Sequence, residues 1–124
     1  MAAEPRQRRL FGRKMHLKQS REFARVRQDG RRMVCGCLIA NWRILPPGEP
    51  TRLGVITAKK LGNAVVRTRA RRLLREVFRL HQHHLARPID LVLVAQRTIV
   101  GKGYAFVEND FLTMLRRARL IKEQ

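Results

Sequence analysis

Apolar positions along the chain follow two different periods, and the changes between them predict the order of the elements. Over residues 33–45 the side chains alternate as in a strand, and Gly36 marks a bend or a break into two strands. A further strand is predicted over residues 52–59. The nearly continuous apolar run Ile89–Ala95 predicts a strand that is covered on both of its faces.

Three other segments carry the helical period of about 3.6 residues. Residues 21–29 are predicted as a short helix with Ser20 as its N-cap, and residues 64–84 as a long helix with Asn63 as its N-cap. The apolar spacing over residues 107–118 predicts a last helix. The order is therefore helix, two or three strands, helix, strand and helix, which indicates a mixed sheet with packed helices in an α/β or α+β sandwich.

The long central helix divides its surface between apolar and cationic side chains. Five arginines fall within about 140° of the helical wheel: Arg67, Arg71, Arg72, Arg75 and Arg79. An apolar stripe roughly 120° wide holds the positions expected to face the sheet: Val66, Ala70, Leu73, Leu74, Val77 and Leu80. Arg69 lies at the border between the two sets.

This arginine face opposes its own helix, because like charges at i,i+4 destabilise a helix by a few tenths of a kcal/mol per pair. Only Glu76 lies near enough to offset them. A merely solvated face would interleave both signs, so the pattern favours phosphate binding, for which the planar guanidinium is suited. Lys59 and Lys60 precede a glycine turn and the helix N-terminus, which adds partial positive charge.

Composition points to the same class of partner. The chain has 124 residues with 28 Lys and Arg against 9 Asp and Glu, a net charge of +19. Such self-repulsion is relieved by a polyanion, which indicates nucleic acid. No apolar run approaches the roughly 18 residues that span a bilayer, so no membrane partner is expected. Residues 1–14 are predicted as a flexible basic arm and residues 15–124 as a single domain.

No pattern in the sequence predicts catalysis or metal binding by the chain itself. The acidic residues are scattered, and no nucleophile constellation is evident. The three histidines His81, His83 and His84 suit the cationic preference of a helix end better than a metal site. Cys35 and Cys37 are predicted to be buried, reduced thiols, as in a cytoplasmic protein.

The segment KKLGNAVVRTRARRLLRE, residues 59–76, resembles the signature of the protein subunit of bacterial ribonuclease P. The resemblance extends to the first helix around Phe23 and Val26, to the segment 52–55 and to the strand at 90–95. It covers most of the chain from about Leu17 onward.

The resemblance implies a fold of order α-β-β-β-α-β-α with a left-handed βαβ crossover. It also implies that a catalytic RNA, with bound Mg2+, removes the 5′ leader of precursor tRNA, and it implies no obligate protein partner. The motif that meets the catalytic RNA is matched here by Lys59, Lys60, Asn63, Arg67, Arg69, Arg71, Arg72 and Arg75. Phe23 matches an aromatic of the leader cleft, and Trp42 is expected to line the same cleft.

The chain departs from the family pattern at two of these positions. Thr68 stands where the family has Asn, and it lacks the paired donor and acceptor of an amide. Arg27 stands where a second cleft aromatic is common, which exchanges stacking for a cation near phosphate or for a guanidinium that stacks on a base.

Three functions from different classes are therefore weighed. The first is an RNA-binding accessory subunit of a ribonucleoprotein endonuclease that acts on precursor tRNA. The second is a structural RNA-binding protein of ribosomal type without a part in catalysis. The third is a DNA-binding module, which no helix-turn-helix or zinc signature supports.

Overall fold

A computed structural model describes residues 15–122 of the chain. It contains three helices and four strands in the order α1 (Ser20–Asp29), β1 (Arg31–Cys35), β2 (Leu38–Ile44), β3 (Arg52–Ile56), α2 (Ala64–His81), β4 (Ile89–Ala95) and α3 (Tyr104–Arg117). The predicted order of elements is confirmed. The basic arm predicted over residues 1–14 lies outside the described residues.

The four strands form one mixed sheet in the order β1-β2-β4-β3. β4 lies between antiparallel β2, with Trp42 opposite Leu91, and parallel β3, with Leu53 opposite Leu91. A parallel neighbour on one side and an antiparallel one on the other make the fold α+β, as predicted. The β3–α2–β4 connection is the βαβ unit of the prediction, and its handedness stays a prediction.

Helices cover both faces of this sheet. On one face α2 and α3 form the main core, in which Phe78 and Phe111 are fully buried against Leu91 and Leu93. On the other face α1 packs through Val26 over Val92. β4 is thus covered on both sides, which explains why its sequence is nearly all apolar.

An N-cap was predicted for each of α1 and α2, and one of the two predictions is confirmed. Asn63 caps α2 as predicted, since its Oδ1 accepts the backbone N–H of Val66 at 3.0 Å. The prediction that Ser20 is the N-cap of α1 is wrong, because Ser20 is the first residue of the helix and Gln19 is its N-cap. The Glu22 carboxylate reaches back to accept the N–H groups of Lys18 and Gln19 at 2.8 and 3.0 Å, so helix formation starts earlier.

Three boundaries differ by three residues from the predicted ones. β3 ends at Ile56 rather than at residue 59, because Lys59–Leu61 forms a turn of 3-10 helix. α2 ends at His81, and Gln82–His84 is a second 3-10 turn. α3 begins at Tyr104, about one turn before the predicted start, because its first turn is largely exposed and lacks an apolar period.

The predicted break at Gly36 is confirmed as a tight turn between β1 and β2. Gly36 has a φ of +58°, and the Asp110 carboxylate packs where a Cβ would stand. That carboxylate also accepts the backbone N–H of Cys37 at 2.9 Å. Cys35 and Cys37 are free and buried, and burial together with Asp110 raises the pKa of the Cys37 thiol to about 12. This thiol is therefore protonated and structural.

Candidate nucleic-acid interface

The buried face of α2 is not quite the stripe that the wheel predicts. Phe78 falls between Arg67 and Arg71 on the wheel, yet it is 0% exposed. Phe78 follows Arg67 by about three turns, where α3 packs on the helix. The same edge of α2 is therefore cationic at Arg67 and Arg71 and buried at Phe78, so the arginine face narrows toward the end of the helix.

Three arginines of this face have no partner among residues 15–122. Arg72 and Arg75 are exposed and Arg67 is half-buried. None of the three guanidinium groups makes an ion pair or a hydrogen bond to another of the residues 15–122. The charge of Arg75 reaches His16, where it acts with burial, the larger cause, to lower the pKa of that imidazole. These donors are free for an external anion.

Three other arginines are held by the protein. Arg71 donates to the hydroxyl of Thr57 at 2.7 Å and to that of Thr68 at 3.1 Å. Arg69 donates to the backbone carbonyl of Lys102 at 2.9 Å. Arg79 is paired with Glu76 at 2.7 Å. The hydroxyl of Thr68 thus positions Arg71, a role that the sequence did not indicate.

The segment before α2 brings two more cations to the same end of the helix. Lys59 and Lys60 are exposed on the 3-10 turn that leads to Gly62. A Cβ at Gly62 would lie 2.8 Å from Cγ1 of Val66, so a side chain there would displace the first turn of α2. Glycine lets the lysines approach the helix N-terminus, whose free N–H groups favour anions.

A second candidate surface lies on the opposite face of the sheet. The ring of Phe23 on α1 rests on Gly54 of β3, where a Cβ would collide with Cε1 and Cζ of that ring. Phe23 remains partly exposed beside Ile56 and Val94. An accessible aromatic is thereby placed over the sheet by a glycine, and Arg27 lies exposed one helical turn further on.

Trp42 does not belong to this surface. Its side chain is buried in the core under α2 and α3, with Leu91 opposite it on β4, whereas Phe23 packs on the other face. The prediction that Trp42 lines the same cleft as Phe23 is wrong. Alternation places Trp42 and Arg43 on opposite faces, but the sequence does not indicate which of these faces α1 covers.

An open groove continues the Phe23 surface along the sheet. Its volume is about 420 Å3, its floor includes Ile39 and Val94, and Lys60 and Arg97 lie at its rim. Val94 also packs with Phe23 in the small core under α1. Ile39 and Arg97 are not among the predicted site residues. The alternation of β2 could have suggested Ile39, whereas no local signal marks Arg97.

A partly buried ion-pair network ties α1 to the sheet, and no pattern in the sequence indicates it. Arg52 on β3 donates to both carboxylate oxygens of Asp90 at 2.9 Å and to Glu22 on α1 at 2.9 Å. Arg43 approaches the same Asp90 at 3.4 Å. The backbone N–H groups of Gln19 and Lys18, and then Arg52, lower the pKa of Glu22. The network holds α1 against the sheet. The Phe23 surface and the groove that continues it past Ile39 and Val94 together form the α1 cleft.

The histidines at the end of α2 contact one another and α3. His81 Nε2 lies 2.7 Å from Oε2 of Glu108, and its ring stacks on His84 with centroids 5.3 Å apart. Burial, more than the neighbouring His81, lowers the pKa of His84. Within residues 15–122 no group of three or more His, Cys, Asp or Glu side chains is arranged to hold a metal ion.

A basic helix N-terminus on one face of a mixed sheet and an aromatic cleft on the other define a small nucleic-acid-binding protein. Comparison with known proteins narrows this class. The family model for Ribonuclease P matches residues 11–119. The ribonuclease P protein component of Alkaliphilus metalliredigens is 33% identical over 105 residues, which are 85% of this chain and 94% of that protein. That of Gluconacetobacter diazotrophicus is 35% identical over 103 residues, 82% and 89% of the two chains.

Solved structures share the fold. The ribonuclease P protein of Staphylococcus aureus superposes with a TM-score of 0.78 at 24% identity, over 87% of this chain and 98% of that one. That of Thermotoga maritima gives 0.72 at 22% identity, over 82% and 96%. The chain therefore belongs to the ribonuclease P protein family. Its function is that of an accessory subunit of an endoribonuclease in tRNA 5′ maturation.

No helix within residues 15–122 is both long enough and apolar enough to cross a membrane.

Proposed function

We propose that the chain binds the catalytic RNA of ribonuclease P through the start of α2 and the 5′ leader of precursor tRNA through the α1 cleft. The observation that carries this proposal is the set of unpaired guanidinium groups of Arg67, Arg72 and Arg75 beside Lys59 and Lys60. These five cations, which lie between residues 59 and 75, have no partner within residues 15–122, and an external polyanion would neutralise them.

The other residues of this RNA-binding surface have supporting parts. Asn63 fixes the first turn of α2, so that the helix N-terminus faces the same phosphates as the lysines. Arg69 and Arg71 are held in place by Lys102 and by Thr57, which lowers the entropy cost of binding. Pre-oriented guanidinium groups hold phosphate oxygens through two hydrogen bonds each.

The leader would lie across the other face of the sheet. Phe23 offers a ring on which a base can stack, and Ile39 and Val94 continue this apolar floor. Lys60 and Arg97 at the rim of the groove suit the phosphates of a single strand. Arg27, at the end of α1, would bind phosphate or stack on a further base.

The chemistry of cleavage is assigned to the RNA subunit and its Mg2+ ions, and no residue of the protein to the reaction itself. The protein would neutralise phosphates of the two RNAs, so that fewer free cations are needed to bring them together. The proposed location is the cytoplasm, with which the two free, buried cysteines Cys35 and Cys37 agree.

Photo-crosslinking of the assembled ribonucleoprotein tests this assignment of surfaces. A photoreactive nucleotide in the leader of a precursor tRNA should attach to peptides that contain Phe23 or β4. One in the catalytic RNA should attach to peptides that begin α2. Leader crosslinks confined to α2 would contradict the proposal, and so would equal crosslinking of mature tRNA to the α1 cleft. The latter result would favour a structural RNA-binding protein.

A further inference from the structure

A third basic surface lies on the α3 side of the sheet, where neither of the two proposed RNA sites reaches. It is a groove of about 730 Å3 between the edge of β1 and β2, the C-terminal end of α3 and the turn before β4. No described residue of α1 or α2 lines it. Its apolar floor includes Met33, Trp42 and Leu120.

The rim of this groove is uniformly cationic. Five exposed arginines line it: Arg31, Arg32, Arg87, Arg117 and Arg119. None of their side chains forms an ion pair or a hydrogen bond within residues 15–122, and no acidic residue of that range lines the groove. Five charges of one sign around a concave surface focus the field on an anion.

The backbone at one of these arginines supplies an independent observation. Arg119 has a φ of +59° and is the one non-glycine residue with positive φ within residues 15–122. It ends α3 in a Schellman turn, in which Leu120 N–H donates to Leu115 C=O at 3.0 Å and Arg119 N–H to Arg116 C=O at 3.1 Å. Glycine is preferred at this position because a Cβ is strained there. The chain has instead a cation that lines the groove.

We propose that this groove, the α3 groove, binds the phosphodiester backbone of an RNA strand. Arginine rather than lysine on every side suits phosphate, which it holds with two hydrogen bonds. The volume lies within the range of about 300–1,000 Å3 that holds organic ligands, so there is room for a nucleotide-sized portion of a strand. The inference rests on the proposed function for the identity of the polyanion, and it adds a third contact surface to that function.

A pair of neighbouring arginines gives a matched test. Arg117 lines the groove, whereas Arg116 is equally exposed at the same end of α3 and does not line it. In the full chain, Arg117→Gln should lower the slope of log binding constant against log salt by roughly 0.7–0.9, the value for one phosphate contact. Arg116→Gln should leave the slope within error of the unchanged protein. Equal slopes for the two variants would overturn the proposal.

Arg119→Gly separates RNA binding from folding. Glycine relieves the positive-φ strain, so the variant should unfold at the same or a higher temperature while its RNA affinity falls several-fold. A variant that keeps full affinity would contradict the role of Arg119 in the groove. Because the affinity is expected to fall without any loss of stability, a misfolded protein cannot produce the expected result.

Binding is measured separately with catalytic RNA and with precursor tRNA, each alone. If the salt slopes of Arg117→Gln and Arg116→Gln differ with only one of the two RNAs, that RNA supplies the bound strand. If the slopes are equal with both RNAs, the proposal is overturned. Stimulation of cleavage by the unchanged protein is recorded in parallel. If the unchanged protein does not stimulate cleavage, the proposed function is contradicted. If it stimulates cleavage fully while the two variants have equal salt slopes, only the α3 groove is contradicted.

Discussion

Phe23 has two roles that a substitution can separate, since its ring both packs on Gly54 and remains accessible in the cleft. Phe23→Ala should reduce the preference for precursor over mature tRNA about 5- to 150-fold, because base stacking on an aromatic contributes about 1–3 kcal/mol. Equilibrium binding of both tRNAs to the assembled ribonucleoprotein measures it.

Phe106→Ala is the matched control for this variant. Phe106 is an aromatic of α3 that is 43% exposed and lies outside the α1 cleft. Its removal should leave the preference for precursor tRNA unchanged. An equal loss of affinity for precursor and mature tRNA in Phe23→Ala would remove Phe23 from the leader site.

Glu22 should give the fold part of its acid sensitivity. Its folded pKa lies below the usual 4.5, chiefly through the N–H groups of Gln19 and Lys18 and then through Arg52. A lowered pKa stabilises the fold fully above the unfolded value, and this contribution is lost as the pH falls through the folded pKa. Chemical denaturation between pH 7 and pH 3 should therefore show a smaller decrease in the free energy of unfolding for Glu22→Gln.

Glu49→Gln provides the comparison, because Glu49 is exposed and makes no ion pair with a residue of the described range. It should follow the pH dependence of the unchanged protein. If Glu22→Gln follows it too, the capping and Arg52 contacts add nothing to stability in solution.

At the scale of single residues, local signals were predictable and distant partners were not. Asn63 was identified as a cap because its acceptor and donor are three residues apart. No role was predicted for Asp90, although it is buried and its carboxylate accepts a hydrogen bond from Arg52, which is 38 residues away in the sequence. The residues next to Asp90 in the sequence do not indicate this partner, because Arg52 and Asp90 are brought together by the parallel pairing of β3 and β4.

At the scale of one element, α2 should bind RNA through its unpaired arginines. Arg72→Gln combined with Arg75→Gln should lower the salt slope for catalytic RNA by roughly 1.4–1.8, since two phosphate contacts are lost. Arg79→Gln should change it little, because Arg79 is already paired with Glu76. Filter or fluorescence binding over a salt series measures the slopes. Equal effects per charge in all three positions would show a general field rather than a defined face.

The buried half of the same helix gives a stability prediction. Phe78 is fully buried, and Phe78→Ala should lower the free energy of unfolding by about 3–5 kcal/mol. Val65, on the same helix, is 76% exposed, and Val65→Ala should stay within about 0.5 kcal/mol. Urea denaturation compares the two. A small effect of Phe78→Ala would mean that the helix edge between Arg67 and Arg71 is open along its whole length.

Periodicity predicted that α2 is amphipathic but not how far each face extends. A helical wheel averages over the whole helix, whereas α3 contacts only part of it. Phe78 was therefore left out of the predicted stripe, although it is one of the largest buried side chains.

At the scale of the whole molecule, the order of elements followed from alternation, helical spacing and the apolar β4. The mixed sheet followed from the same pattern together with the family resemblance. The pattern did not indicate which sheet face each helix covers. Trp42 was accordingly assigned to the wrong face, since a strand with apolar residues on both sides fits either arrangement.

The distribution of charge is also a property of the whole molecule. The start of α2, the rim of the α1 cleft and the α3 groove are all basic, and together they lie on both faces of the sheet. From this distribution and a net charge of +19 we expect the chain to bind more than one RNA segment at once.

The central claim is that this protein assists an RNA enzyme by neutralising phosphates. Cleavage of a precursor tRNA by a bacterial ribonuclease P RNA at low Mg2+, with and without the protein, tests it most directly. We expect cleavage at the correct 5′ position only when both are present, no cleavage by the protein alone, and less need for the protein as Mg2+ is raised. A competent RNA whose cleavage is unchanged by the protein at every Mg2+ concentration would contradict the account.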